Sequence, residues 1–165
     1  MGKPLAYLIT FRTHGTWLHG DIRGAVDRKH NVYGFPRLRH DPVRKDYART
    51  QLKVDPVLLD TTMRTAVLEA IRETCIKRHW KLLAINIRTN HVHVVVDIGD
   101  STPETAIVAF KANATRHMRE RGCWTSDRSP WVEKGSRRYL WKEASVNAAI
   151  DYVNNRQGDD LPFEF

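Results

Sequence analysis

The sequence has few of the features that mark secreted and membrane proteins. Its 165 residues include only two cysteines, Cys75 and Cys123, and these form no Cys-x-x-Cys motif, so we interpret them as reduced thiols. No apolar run approaches the roughly 20 residues of a membrane span. The opening MGKPLAYLITF lacks the long apolar segment and cleavage site of a secretory signal. We therefore expect a cytoplasmic protein with no membrane partner.

The familiar catalytic motifs are also missing. The sequence contains no G-x-S-x-G, H-E-x-x-H, G-x-G-x-x-G or P-loop pattern and no Ser-His-Asp order. This argues against the common serine hydrolases, zinc proteases and nucleotide-binding enzymes. Any catalytic chemistry must come from a less common arrangement of side chains.

Acidic residues are scarce relative to basic ones, and the net charge is +8. Residues 1–53 hold eleven Lys or Arg against four acids, and residues 112–142 hold eight against three. The stretch from Glu143 onward holds five acids and only Arg156 as a base. Two basic segments on one face would suit a polyanion such as nucleic acid. Charge that only keeps the protein soluble is the alternative.

Hydrophobic periodicity predicts a single α+β domain over residues 1–165. The hydrophobic content of 41% is enough for a core. The pattern reads strand, helix, strand, strand, helix, strand, helix, which predicts an antiparallel sheet flanked by helices in a ferredoxin-like or RRM-like manner. A basic insertion without periodicity occupies about residues 13–54, a length that is usually functional or disordered.

Local signals set the expected boundaries of these elements. The strands KLLAINIR and HVHVVVD should form a hairpin at the centre of the sheet, with Leu83, Ile85 and Ile87 on one face. Capping residues predict three helix starts, which are Asp55 with Pro56, Thr102 with Pro103, and Ser145; Gly122 and Gly158 should end the second and third helices.

The stretch NHVHVVVD places His91 and His93 on the same face of a strand, because side chains alternate between faces. Their β-carbons are then roughly 7 Å apart, and the ring nitrogens can converge on one ion. Two imidazoles leave coordination positions open, as a catalytic metal site requires. A pair of solvated histidines is the alternative interpretation.

A nucleophile for such a site must come from elsewhere, and Tyr152 is the candidate among five tyrosines. It lies about 100° from the centre of the apolar stripe of the last helix, so its phenol could reach a cleft. On helical position alone, a hydroxyl exposed to water is the simpler interpretation.

Taken together, NHVHVVV and AAIDYVNNRQG resemble the motifs of the HUH single-tyrosine transposases. The likeness is to the IS200-like family, and in particular to the REP-associated tyrosine transposases. FKANATRHMRER, WTSDRSPWVEKGSRRYLWKE and ITFRTHGTWLHGDIRG also resemble segments of that family, in the same order. The resemblance covers nearly the whole chain and is more specific than two histidines alone.

The resemblance implies an HUH nuclease fold and an enzyme that cuts and rejoins single-stranded DNA, often beside a hairpin. Tyr152 would attack a phosphodiester to form a 5′-phosphotyrosine, and His91 and His93 would hold Mg²⁺ or Mn²⁺. In the family the third ligand is a polar side chain about a turn past the tyrosine. Gln157 is favoured here if the helix loosens before its end, and Asn155 is the alternative.

The resemblance and the charge together imply contacts with single-stranded DNA. The expected phosphate contacts are Lys111, Arg116, Arg119, Arg121, Arg137, Arg138 and Lys142. Trp124, Trp131, Tyr139 and Trp141 could stack on bases, although we expect at least half of them to pack in the protein. Two oligomeric states remain possible: a monomer, and a homodimer in which the tyrosine helix of each subunit acts in the active site of the other.

Two other functional hypotheses and one further histidine group remain. The protein could be a non-catalytic single-strand nucleic-acid binder on the same fold, or a His-x-His metal hydrolase unrelated to DNA. His19 and Asp21 could touch DNA. The larger set of His14, His19, His30, His40 and Asp21 matches no zinc template.

Overall fold

The computed structural model describes residues 2–15 and 56–164. Within them a four-stranded antiparallel sheet is combined with three helices, which confirms the α+β class. The elements are β1 (Ala6–Arg12), α1 (Thr61–Arg78), β2 (Lys81–Ile87), β3 (His91–Asp97), α2 (Pro103–Glu120), β4 (Ser136–Leu140) and α3 (Glu143–Asn155).

The strands lie in the order β2-β3-β1-β4, and every neighbouring pair is antiparallel. With helices between β1 and β2 and between β3 and β4, this is the ferredoxin-like arrangement that the sequence predicts. β3 and β1 are the two central strands. β2 lies at an edge, so the prediction that the whole hairpin is central was wrong for its first strand.

The sheet buries both of its faces. On one face Val92, Val94 and Val96 are fully buried, and Phe11 meets Trp131 edge to face at 4.9 Å. Trp131 in turn donates from its indole to the Thr115 hydroxyl of α2, so this face lies beneath α2, against which α1 packs. The opposite face carries α3. Its apolar layer consists of Ala6, Leu8, Ala84, Val95, Leu140, Ala149 and Val153.

A bulge in β2 moves one of its apolar residues to the other face. The register shifts between Leu82, opposite Val96, and Ala84, opposite Val95. Leu83 therefore packs against the layer beneath α3, while Ile87, opposite Val92, faces the other side. The prediction that Leu83 shares a face with Ile85 and Ile87 was wrong, because strict alternation assumes an unbroken ladder.

The helix boundaries follow side-chain chemistry in two of three cases. Thr102 caps α2 through its hydroxyl, with Pro103 in the first turn, as predicted. α1 begins later than predicted, because the Asp60 carboxylate accepts the Met63 N–H and Pro56 lies before the helix. Asp55 itself lies outside the described residues. α3 begins after Lys142 with no side-chain cap, so the Ser145 cap was wrong.

Residues 13–58 form a unit of their own, described only at its two ends. There the Val57 N–H donates to the His14 carbonyl, and the Thr13 hydroxyl donates to the Val57 carbonyl. The prediction of one domain with an insertion stays a prediction. Both cysteines are free thiols. No helix in the described part of the chain is long and apolar enough to cross a membrane.

Candidate active site

Strand β3 carries His91 and His93 on the face that α3 covers. Their ring centroids are 4.7 Å apart and the rings are inclined by 74°. His93 is buried, whereas His91 is partly exposed. Val92, Val94 and Val96 point into the opposite layer, so packing on that side fixes the strand from which both imidazoles project.

A hydrogen bond at Nδ1 orients each imidazole. His93 Nδ1 lies 2.7 Å from the Thr10 hydroxyl, and His91 Nδ1 lies 2.6 Å from the Asn90 amide oxygen. An amide oxygen can only accept, so His91 donates to Asn90 from Nδ1, which leaves Nε2 as its potential ligand atom. Bonds of this kind fix the tautomer and ring direction of a histidine that binds a metal through its other nitrogen.

Helix α3 brings Tyr152 against these histidines within one chain. Ala149 and Val153 are buried against the sheet, and Tyr152, next to Val153, is partly buried at the edge of that contact. The Tyr152 ring lies 5.5 Å from the His93 ring, centroid to centroid, with 70° between the planes. The Tyr152 ring therefore lies against the histidine pair.

The end of α3 separates the two amides considered as a third ligand. Asn155 is exposed and its amide donates to the Asp151 carboxylate one turn earlier. The helix ends at Asn155, and Gln157 folds back so that its Nε2 donates to the Tyr152 carbonyl at 3.0 Å. That bond leaves the side-chain oxygen of Gln157 as its potential ligand atom.

Comparison with known families decides what kind of protein this is. A family model described as "Transposase IS200 like" matches residues 52–155. The chain belongs to this transposase family. No match was found among curated proteins.

Two solved structures are similar to the transposase, each at 12% identity. One is a REP-associated tyrosine transposase bound to a REP hairpin, with a TM-score of 0.49, and covers 92% of this chain. The other is a protein from Deinococcus radiodurans R1 described as a candidate transposase, with a TM-score of 0.48, and covers 96% of this chain. The chain spans 66% of the first structure's length and 95% of the second's.

Two imidazoles and one side-chain amide are the candidate cation ligands at this site. In residues 2–15 and 56–164, no three His, Cys, Asp or Glu side chains converge on one point. The candidate donor set is therefore two imidazoles, to which the Gln157 amide oxygen would add a third ligand. Such a set suits Mn²⁺, which accepts nitrogen, and it fits Mg²⁺ less well.

Most of the basic residues expected to contact DNA lie away from the histidine face. Arg116 pairs with Glu73 and Glu120, and Arg137, opposite Ile9 in the ladder, pairs with an acid of α2. Two more are also engaged on that side: Arg119 donates to the Ser126 and Asp127 carbonyls, and Arg121 pairs with Glu69. These four cations are tied to the side of the sheet that faces α2.

Lys111 binds the backbone of the loop that precedes β4. Its ammonium group donates to the carbonyls of Val132, Glu133 and Lys134. Partial burial lowers the pKa of Lys111. A charge engaged with three carbonyls stabilises the chain before β4, so we no longer expect a phosphate contact here.

Of the two remaining expected cations, Arg138 lies on the histidine face of the sheet, and Lys142 lies at the end of α3 opposite to Tyr152. Arg138 is opposite Leu8 in the β1–β4 ladder and so shares the histidine face, and Lys142 precedes the first residue of α3. Arg12, opposite His91, lies on the same face, and the sequence analysis did not single it out. Arg12 and Arg138 therefore share the histidine face with the candidate site.

The four aromatic residues considered for stacking differ in their exposure. Trp131 is buried in the core, and the Trp124 indole donates to the Arg128 carbonyl. Tyr139 and Trp141 are about half exposed, at 45% and 55%, with their rings 6.3 Å apart. Of the other histidine group, only His14 is described, and His19, Asp21, His30 and His40 lie outside the described residues.

Sequence reasoning missed the residues that hold the site together. Thr10, Asn86 and Asn90 contact His93, α3 and His91 respectively. Asn90 could have been found, because it directly precedes His91 in the motif. Thr10 and Asn86 become neighbours of His93 only through strand register, which a single sequence does not reveal.

Proposed function

We propose that this transposase cuts and rejoins single-stranded DNA with Tyr152 as its nucleophile. The observation that carries the proposal is the contact between the Tyr152 and His93 rings in one chain. A phenol beside an imidazole pair has the parts that covalent phosphoryl transfer requires, which are a nucleophile and ligands for a cation. The tyrosine would then act in cis.

The proposed reaction exchanges one phosphodiester for another. The Tyr152 hydroxyl oxygen attacks the scissile phosphorus and the bond to the 3′ oxygen breaks. The phenol gives up its proton, and the departing 3′ oxygen takes one up. The products are a 5′-phosphotyrosine and a free 3′-hydroxyl. A second 3′-hydroxyl can reverse the step, so strand joining needs no ATP.

His91 and His93, with Gln157 as third ligand, are the residues that would hold the cation. A bound Mn²⁺ or Mg²⁺ supplies charge that stabilises the pentavalent transition state. The protein's own part is to fix the imidazoles through Thr10 and Asn90 and to hold the phenol beside them.

The proposed substrate is single-stranded DNA, with a hairpin near the cleaved bond. The family, the net charge of +8 and the basic residues on the histidine face support a DNA partner. A similar structure holds a REP hairpin, which makes hairpin ends the first substrates to try.

The decisive experiment is incubation of the protein with hairpin-bearing single-stranded oligonucleotides and Mn²⁺. We expect a protein–DNA adduct that survives denaturant, together with release of a 3′-hydroxyl strand. Tyr152→Phe should abolish the adduct and keep oligonucleotide binding, whereas Tyr139→Phe, an exposed tyrosine of β4, should keep both. Binding without any adduct from the wild type would instead favour the non-catalytic binder.

A further inference from the structure

A row of three side chains crosses the sheet beneath the proposed active site. Asn86 of β2 is opposite His93 of β3, and Thr10 of β1 is opposite the same histidine on the other side. Because register partners point to the same face, all three project toward α3. The Thr10 hydroxyl contacts the His93 ring, and Asn86 reaches the helix.

Asn86 bonds to the helix directly after the tyrosine. Its amide Nδ2 donates to the backbone carbonyl of Val153 at 2.9 Å. The last four carbonyls of an α-helix have no intrahelical donor, and α3 ends at Asn155. The Val153 carbonyl is one of these, and Val153 is fully buried. Asn86 therefore supplies the donor that this buried carbonyl requires.

This bond can fix the direction in which Tyr152 points. α3 also meets the sheet through an apolar layer that includes Ala149, Val153 and Leu8, and apolar burial has little directionality. A hydrogen bond to the backbone beside Tyr152 is directional, so it restricts rotation of α3 about its axis. Small displacements of a reacting group have large effects on rate.

We propose that Asn86 is a positioning residue that holds the Tyr152 hydroxyl in line for attack. It touches no substrate and acts through the Val153 carbonyl. The same row of the sheet then orients both partners of the reaction, the imidazole through Thr10 and the phenol through Asn86. This inference rests on the proposed role of Tyr152 as nucleophile.

The test separates positioning from binding and from folding. Asn86→Ala removes the donor, and Asn86→Asp keeps the size but gives a carboxylate that cannot donate. Asn113→Ala is the matched control, because the Asn113 amide also donates to a helix carbonyl at 2.9 Å, that of Ala70 on the opposite side of the sheet. All variants are compared with the wild type by single-turnover adduct formation at saturating oligonucleotide and Mn²⁺.

We expect both Asn86 variants to lower the single-turnover rate by about tenfold or more. Oligonucleotide affinity, measured with Tyr152→Phe added, should change by less than about twofold, and Asn113→Ala should keep the rate. A wild-type rate in both Asn86 variants would overturn the inference. So would a loss of affinity equal to the loss of rate, since Asn86 would then belong to the DNA-binding surface.

A second measurement does not depend on catalysis. Amide hydrogen exchange in the last turn of α3, from Tyr152 to Arg156, should be faster in the Asn86 variants than in the wild type or Asn113→Ala. Unchanged exchange would show that Asn86 does not hold the helix. If the wild type forms no adduct, the proposed function fails, and exchange still decides whether Asn86 anchors α3.

Discussion

At the scale of single residues, the site depends on hydrogen bonds made by neutral side chains. Thr10, Asn90 and Asn86 each contact an atom next to the proposed chemistry without themselves being nucleophiles or cation ligands. A hydrogen bond to one ring nitrogen of a histidine fixes the direction of the ring and leaves the other nitrogen to bind a cation. The roles of His91 and His93 should therefore be sensitive to changes in their neighbours.

Thr10→Val should weaken cation binding while keeping the fold. Valine matches threonine in shape but cannot bond to His93 Nδ1, and loss of such a partner typically costs about 10-fold to 100-fold in metal affinity. Titration of the protein with Mn²⁺, followed by calorimetry, measures the change. Thr115→Val, a buried threonine of α2 that bonds Trp131, is the control. Equal Mn²⁺ affinities for Thr10→Val and the wild type would contradict the assigned role.

The identity of the cation should also matter at this scale. Because the proposed ligands include two imidazoles, adduct formation should be faster with Mn²⁺ than with Mg²⁺ at equal concentration. Chelation of divalent ions should stop it. Equal rates with both ions would indicate that oxygen ligands dominate the site.

At the scale of elements, an ionic cluster joins α1 to α2. Glu73 bonds Lys77 on its own helix and His117 and Arg116 on the other. The pKa of Glu73 is lowered from about 4.5 to about 2, chiefly by the hydrogen bond from Lys77 and then by the one from His117. A carboxylate whose pKa is lowered in the folded state stabilises the fold at any pH above its ordinary pKa of about 4.5. This stabilisation is lost as the pH falls toward 2.

Glu73→Gln should therefore change the acid limb of the stability profile. In the wild type, the melting temperature should contain a component that is lost as pH falls from about 4.5 to about 2. The variant should lack that component and be less stable at pH 7. Thermal unfolding across this pH range measures it. Because Glu73 is partly exposed at the surface, the effect should be small. Parallel profiles would contradict the pairing.

At the scale of the whole molecule, basic residues lie on both faces of the sheet. Arg116 and Arg137 form ion pairs with Glu73, Glu120 and Glu104 on the side of the sheet that faces α2, and Arg138 lies on the histidine face. Arg138→Gln should weaken single-strand binding and reduce the salt slope by about 0.7. Arg116→Gln should leave the slope unchanged. Oligonucleotide titrations at several salt concentrations distinguish them.

The contact between Tyr152 and His93 in one chain also predicts behaviour in mixtures. Tyr152→Phe and His93→Ala proteins should each fail to form an adduct, and mixing them should not restore it. Recovery of the adduct in the mixture would mean that the tyrosine helix serves a second subunit.

The sequence by itself determined the local chemistry and the order of the elements. The spacing of His91 and His93 sets their shared face, because strand periodicity is a backbone property. The apolar stripe of α3 sets which side of that helix meets the sheet, and Thr102 sets where α2 begins. Tyr152 at the edge of the stripe, and the α+β order, follow from the same local rules.

Only the tertiary structure decided which side chains meet. Strand register placed Thr10 and Asn86 beside His93. The bulge in β2 moved Leu83 to the face that α3 covers, and the Asp60 cap set the first residue of α1. The position of α2 and the register of β4 placed Arg116 and Arg137 on the side of the sheet away from the histidines, where both form ion pairs. These outcomes depend on contacts between residues far apart in sequence, and such contacts form only when the strands pair and the helices dock.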